Sequence, residues 1–141
     1  MKSIVKIQED ILAELDMFDD WIEKYEYLIS LGKELPEINE KYKTEEHLIK
    51  GCQSKVWLHS EYKNGEMIYV ADSDAIMTKG IVALLIRLLS YQEPASIINT
   101  KVDAFISKIG LSDHLSITRA NGLFAMIKEM KLRALLSTKE L

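Results

Sequence analysis

Near the middle of this 141-residue chain the hydrophobic pattern changes period, and that change constrains the fold more than any other feature. From Lys55 to Tyr62 the residues alternate, with Val56, Leu58, Ser60 and Tyr62 on one face and Lys55, Trp57, His59 and Glu61 on the other. A period of two is that of a strand. Asn64-Gly65 follows, a dipeptide that tolerates positive φ at both central positions of a tight turn, and Met67 to Ala71 read as the returning strand. The spacing therefore predicts an antiparallel hairpin. Asp72-Ser73-Asp74 then offers candidate caps for a strongly apolar helix running to about Ser90, in which Ile81, Leu84, Leu85 and Leu88 mark the core helix.

Elsewhere the helical period dominates. Ile4, Ile7, Ile11, Leu15 and Phe18 recur at three- and four-residue intervals and predict a first helix from about Ser3 to Phe18. Asp20 and Glu23 form a capping box for a second helix whose Trp21, Tyr25 and Leu28 share a face, with Gly32 as a left-handed stop and Pro36 barring continuation. Residues 35 to about 50 are polar and aperiodic, a connector. Glu93-Pro94 opens a short helix, Asn99 to Val102 read as a third strand, Asp103 to Ile109 as a helical turn or two closed by Gly110, and Thr118 to Leu136 as the last helix. No repeat or linker divides the chain. The reading is one domain over residues 1–141, of the α+β class.

Composition bounds the function. A chain this long buries most of the surface its unfolded form exposes, so its stability needs no metal or disulfide staple. The 18 Lys and Arg against 22 Asp and Glu give a net charge of -4 and a pI near 5.4, the wrong sign for neutralising phosphates. Nucleic acid is not an expected partner. The first residues reach Glu9 and Asp10 before any apolar run long enough for a signal sequence, and the aliphatic run Ile81 to Ile86 is far shorter than the roughly 20 residues of a membrane span. No membrane association is expected. A lone cysteine fits a reducing compartment, and the expected location is the cytoplasm.

That cysteine is Cys52, in Gly51-Cys52-Gln53-Ser54-Lys55-Val56-Trp57 where loop gives way to strand. One sulfur cannot close an internal disulfide or hold a zinc or iron–sulfur site with cysteines alone. It either works singly or packs as a small buried hydrophobe. Gly51 permits a tight turn and the polar residues after Cys52 are poor core material, which places the sulfur near a loop tip. A nucleophilic thiol must ionise, and Lys50 and Lys55 are the cations near enough in sequence to help.

Three ordered blocks of the chain resemble the SufE family of sulfur-accepting proteins. The first is Trp21-x-x-Lys24-Tyr25-x-Tyr27-Leu28-Ile29-x-Leu31-Gly32 with Leu35-Pro36-Glu37. The second is Gly51-Cys52-Gln53-Ser54-x-Val56-Trp57, followed by Ala71-Asp72-Ser73-Asp74-Ala75 and Lys79-Gly80. The third is Leu115-x-x-x-Arg119-x-x-Gly122-Leu123-x-Ala125-Met126. Ile117 stands where the family often has proline, and Ile76-Met77-Thr78 replaces a more typical aliphatic pair. The resemblance implies a three-stranded antiparallel sheet with helices packed around it, similar to the IscU-type scaffolds. It also implies a function: Cys52 takes sulfur as a persulfide from a SufS-type cysteine desulfurase, stimulates that enzyme, and delivers the sulfur to a scaffold complex of the SufBCD type. The protein is then a carrier and not itself an enzyme, it has no cofactor of its own, and the pyridoxal phosphate belongs to the desulfurase.

Thiolate attack on a sulfur–sulfur bond needs one accessible nucleophile, and a second cysteine nearby would release the cargo by forming a disulfide. A single cysteine suits a carrier. Around it, Gly51, Gln53 and Ser54 are expected to support the acceptor, Asp74 to act as helix cap or functional patch, and Arg119 to lie near the cysteine or at the partner surface. Gly122 inside a helical pattern hints at close backbone packing. His47, His59 and His114 lack the short paired spacing of a zinc motif, and no metal is expected. The competing readings are an IscU-like cluster scaffold, against which one cysteine argues, a cysteine hydrolase using His59 or His114, a structural adaptor, and a paralogous acceptor serving another desulfurase.

Overall fold

The structure, a computed structural model, describes residues 2–138. Helix α1 (Ile4–Leu15) starts where the Ser3 side chain accepts from the Lys6 N–H, and it buries Ile4, Ile11 and Leu15. It ends three residues before Phe18, whose ring packs against Tyr27 instead. Helix α2 (Trp21–Lys33) is capped by Asp20, which accepts from the Glu23 N–H at 2.9 Å, while the Glu23 carboxylate reaches back to the N–H of Asp19, one residue before the expected Asp20.

Gly32 does not stop this helix, which continues through Lys33 to a right-handed cap at Glu34. Its role is steric. Helix α3 (Ile76–Leu89) crosses α2 so closely that a Cβ on Gly32 would sit 2.8 Å from the Gly80 nitrogen, and one on Gly80 would sit 2.4 Å from the Leu28 carbonyl oxygen. Real Cβ atoms essentially never come so near backbone. At one end of the same contact Arg87 pairs with Glu14 and donates to the Tyr27 hydroxyl at 3.0 Å, which ties α1, α2 and α3 together. The guanidinium holds the Glu14 carboxyl below its usual range, and burial with the Glu14 charge pushes the Tyr27 hydroxyl up to about 12.

The hairpin forms as the alternation requires. Strands β1 (Val56–Lys63) and β2 (Glu66–Ser73) pair antiparallel, with Leu58 opposite Ala71 and Tyr62 opposite Met67, and the turn places Asn64 and Gly65 at φ 54° and 83°. Val56, Leu58, Met67, Tyr69 and Ala71 are buried, and α3 covers β2. Helix α3 has Ile81, Leu84, Leu85, Leu88 and Leu89 at or near zero exposure, as expected of the core helix.

Among the described residues the sheet has two strands, not three. The Asn99–Val102 segment joins helix α4 (Pro94–Asn99) to helix α5 (Val102–Lys108) and pairs with nothing. Its neighbours explain why: Ile97 is buried from α4, Val102, Phe105 and Ile106 are buried at helical spacing from α5, and Thr100 folds back to bond the Ser96 carbonyl through both its N–H and its hydroxyl. The hairpin's edges are instead met by single residues, Leu48 beside Trp57 and Gln92 beside Met67. Two short 3₁₀ turns, Glu40–Tyr42 and Glu45–His47, organise the connector.

Nor do Asp72, Ser73 and Asp74 cap α3 as expected. The strand runs on through Ser73, and α3 begins after Ala75 with no side-chain cap. Asp72 binds the Lys43 and Lys79 ammonium groups at 3.3 and 3.2 Å. The last helix, α6 (Ile117–Thr138), runs along the other elements and buries Gly122, Leu123, Met126, Ile127, Met130 and Ala134. No described helix is long and apolar enough to cross a membrane.

The α2–α3 crossing yields a direct test. Gly80→Ala forces backbone apart and is expected to cost about 2–3 kcal/mol of unfolding free energy. Gly65→Ala meets open space and carries only the strain of positive φ, about 1 kcal/mol. Urea denaturation of both variants checks the order, and an equal loss contradicts it.

Candidate functional site

Cys52 lies in a loop clamped at both ends. On one side the Ile49 N–H donates to the Val56 carbonyl at 2.9 Å, which closes residues 50–55 into a short excursion at the start of β1. On the other, the Lys55 N–H donates to the Asp74 carboxylate at 3.0 Å and the Asp74 N–H to the Lys55 carbonyl at 3.3 Å. Gly51 turns the chain with φ 93°, a left-handed value that favours glycine, and a Cβ there would also press to 3.3 Å from Ala125. These bonds hold the thiol against α6.

The sulfur is half-buried. Its S–H donates to the Gly122 carbonyl at 3.6 Å, and a Cβ on Gly122 would touch the sulfur at 3.6 Å. The glycine within the last helix thus lies directly beside the cysteine, and the closeness read from its position is contact with this loop. Cys52, Gln53 and Ser54 form one wall of a recess of about 50 Å³, room for a few small atoms and not for an extended substrate. Thr78, from the first turn of α3, forms a second wall. The third comes from the beginning of α6, where Ser116, Thr118 and Arg119 lie near Gly122, with Met126 behind them.

The electrostatics run against a reactive resting thiol. Burial pushes the Cys52 thiol above its ordinary value, and no cation offsets that effect. Lys50 and Lys55, the expected helpers, are exposed and line no part of the recess. Arg119 does line it. This residue is exposed in the first turn of α6, where its N–H donates to the Ser116 hydroxyl oxygen at 3.2 Å, and its guanidinium has no ion pair among the described residues.

Of the residues singled out from the sequence, the structure gathers Gly51, Cys52, Gln53, Ser54, Gly122 and Arg119 at one place. Asp74 stands outside the recess as the clamp on Lys55. The histidines lie elsewhere: His114 stacks on Trp21 with ring centroids 4.0 Å apart, and His59 stacks on Tyr42 at 3.8 Å with His47 nearby. Among the described residues no three His, Cys, Asp or Glu side chains converge as a metal site. Thr78, Ser116 and Thr118 were not anticipated. Thr78 carried a signal, a hydroxyl three residues before Ile81 on the buried face of an otherwise aliphatic helix.

Because burial is what perturbs the thiol, the neutral form is favoured at neutral pH and ionisation is displaced to higher pH. Iodoacetamide alkylation of the resting protein, followed by mass, is expected to reach half its limiting rate above the ordinary thiol pKa of about 8.5. A midpoint below that value contradicts the burial.

The family model described as SufE, Fe-S metabolism associated domain, matches residues 9–134. The chain is 37% identical over 132 residues to an uncharacterized SufE-like protein of Rhizobium meliloti (strain 1021), covering 89% of this chain and 93% of that one. To an uncharacterized SufE-like protein of Rhizobium etli it is 40% identical over 129 residues, covering 87% and 86%. The solution structure of a hypothetical protein from Thermus thermophilus matches with a TM-score of 0.78 at 16% identity, over 94% of this chain and 96% of that one, and so shares its fold. With the Cys52 loop and the helices around it falling inside the matched span, the chain belongs to the SufE family, whose domain is associated with Fe-S metabolism.

Proposed function

We propose that this protein is a sulfur carrier: Cys52 accepts sulfur as a persulfide from a SufS-type cysteine desulfurase, the protein stimulates that enzyme, and the sulfur passes to a SufBCD-type scaffold for cluster assembly in the cytoplasm. The observation that carries this reading is a lone thiol, half-buried in the wall of a small recess that it shares with Thr78, Ser116, Thr118 and Arg119. In the transfer step the Cys52 thiol gives its proton to solvent and the thiolate attacks the outer sulfur of the desulfurase persulfide. A bond forms between Cys52 Sγ and that sulfur, the sulfur–sulfur bond of the donor breaks, and the donor cysteine leaves as thiolate with the electron pair. No net oxidation occurs. Without a second cysteine, the persulfide has no internal partner to expel it as sulfide.

The surrounding residues have distinct parts in this proposal. Gly51 allows the turn that presents the sulfur, Gln53 and Ser54 shape the recess wall, and Asp74 fixes where the loop rejoins β1. Arg119 supplies the cation, through charge-assisted hydrogen bonds to the persulfide or to a partner carboxylate. Ile76 and Ile117, 67% and 81% exposed at the starts of α3 and α6, flank the recess as apolar contacts for the enzyme. Docking that draws Cys52 away from the Gly122 carbonyl removes the burial that keeps it protonated, which couples reactivity to the presence of the partner.

Incubation with a desulfurase and cysteine is expected to add one or more sulfur atoms to the intact mass, removable by reductant, and to speed turnover of the enzyme. Cys52→Ser must lose both effects; equal labelling of that variant refutes the assignment. Arg119→Ala is expected to melt as the wild type does while stimulation or partner affinity falls about tenfold, the worth of one charge-assisted hydrogen bond. Unchanged stimulation and affinity remove Arg119 from the site.

A further inference from the structure

One wall of the recess carries a polar group that the fold leaves without a partner. Thr78 is only 5% exposed, and its hydroxyl makes no hydrogen bond among the described residues. No fully enclosed side-chain oxygen or nitrogen among them lacks a partner, so the Thr78 hydroxyl keeps some accessible surface, and the space that Thr78 lines is the one it shares with Cys52. A threonine in a helix ordinarily satisfies its hydroxyl on the carbonyl three or four residues before it, and this one does not. It sits, moreover, in the first turn of a helix that has no side-chain cap, where free N–H groups and the positive end of the helix favour negative charge.

The sulfur, for its part, cannot keep its present contact once ionised. The Gly122 carbonyl accepts from the S–H; facing a thiolate, the same oxygen is an acceptor opposed to an anion. The deprotonated sulfur, or the outer sulfur of a persulfide about 2.05 Å beyond it, must turn toward donors. Gln53, Ser116, Thr118 and Arg119 stand on the exposed side of the recess and are already solvated, and Ser54 is half-buried. Thr78 is the donor in the buried wall, where a hydrogen bond to charge counts most because water does not compete for it.

We infer that the Thr78 hydroxyl donates to the ionised Cys52 sulfur and to the outer sulfur of the Cys52 persulfide, holding the anion inside the recess and setting its reactivity. The persulfide half of this inference rests on the carrier reading; the thiolate half does not.

The test uses the full chain, either as the free thiol or loaded chemically with inorganic polysulfide, and follows iodoacetamide alkylation against pH by mass. Thr78→Val keeps the shape of the side chain and removes the donor, Thr78→Ala removes it while opening the recess, and Thr78→Ser retains it. Thermal melts establish that each variant folds. Both hydroxyl-free variants are expected to move the alkylation midpoint up by about one pH unit, a tenfold change in ionisation, and Thr78→Ser to restore it. Midpoints that do not move, or a Thr78→Ser midpoint displaced as far as that of Thr78→Val, overturn the inference. A Thr78-dependent shift in a protein that takes no sulfur from a desulfurase refutes the carrier reading and leaves the donor standing, whereas normal loading with no shift does the reverse.

Discussion

The contact between α2 and α3 at Gly32 and Gly80 is the constraint on which the other elements depend. With no side chain at either position, the two helices meet backbone to backbone, and α3 can sink far enough to be covered on one side by α2 and on another by the hairpin. Thr78 and Lys79 immediately precede Gly80, so the depth of this crossing also decides where the recess wall stands and where Lys79 meets Asp72. A methyl group at Gly80 displaces more than a helix. It moves one side of the thiol's surroundings while the loop that carries the thiol stays clamped to Val56 and Asp74.

Charge around the cysteine is arranged by exclusion as much as by attraction. Asp72 engages Lys43 and Lys79, and Lys43 also reaches Glu40 at 3.5 Å, so these two lysines are held by carboxylates. Arg119 is the cation that lines the recess. Burial and the Gly122 carbonyl both favour the protonated thiol, whereas the first turns of α3 and α6, the hydroxyls and the guanidinium favour an anion. The two tendencies meet at one sulfur, which lies against the Gly122 carbonyl of α6 and lines the recess with the hydroxyls and the guanidinium.

Much of this architecture was legible in the sequence because it rests on local preferences. Alternation from Val56, the Asn64-Gly65 turn, the Asp20 cap and the left-handed Gly51 and Gly110 each depend on residues within a few positions. The motif around Cys52 and the block from Leu115 to Met126 likewise marked two walls of the recess. Local rules misled where two elements competed for one stretch. Asn99 to Val102 was extended enough to pass for a strand, but Val102 is buried at helical spacing with Phe105 and Ile106, and the Thr100 N–H is engaged by the Ser96 carbonyl. Asp72 to Asp74 had the chemistry of caps, yet the hairpin kept them and turned their carboxylates toward Lys43, Lys79 and Lys55.

The sequence by itself determined the hairpin, the apolar core helix, the single nucleophile and the family resemblance of its surroundings, since all of these are properties of neighbouring residues. Tertiary structure alone decided that Gly32 is a contact and not a stop, that Gly122 faces a cysteine 70 residues away, that Lys50 and Lys55 give the thiol no help, and that Thr78 lines its recess. Those outcomes depend on which helix faces which. That is settled by the burial of whole faces against one another, and no short stretch of chain encodes it.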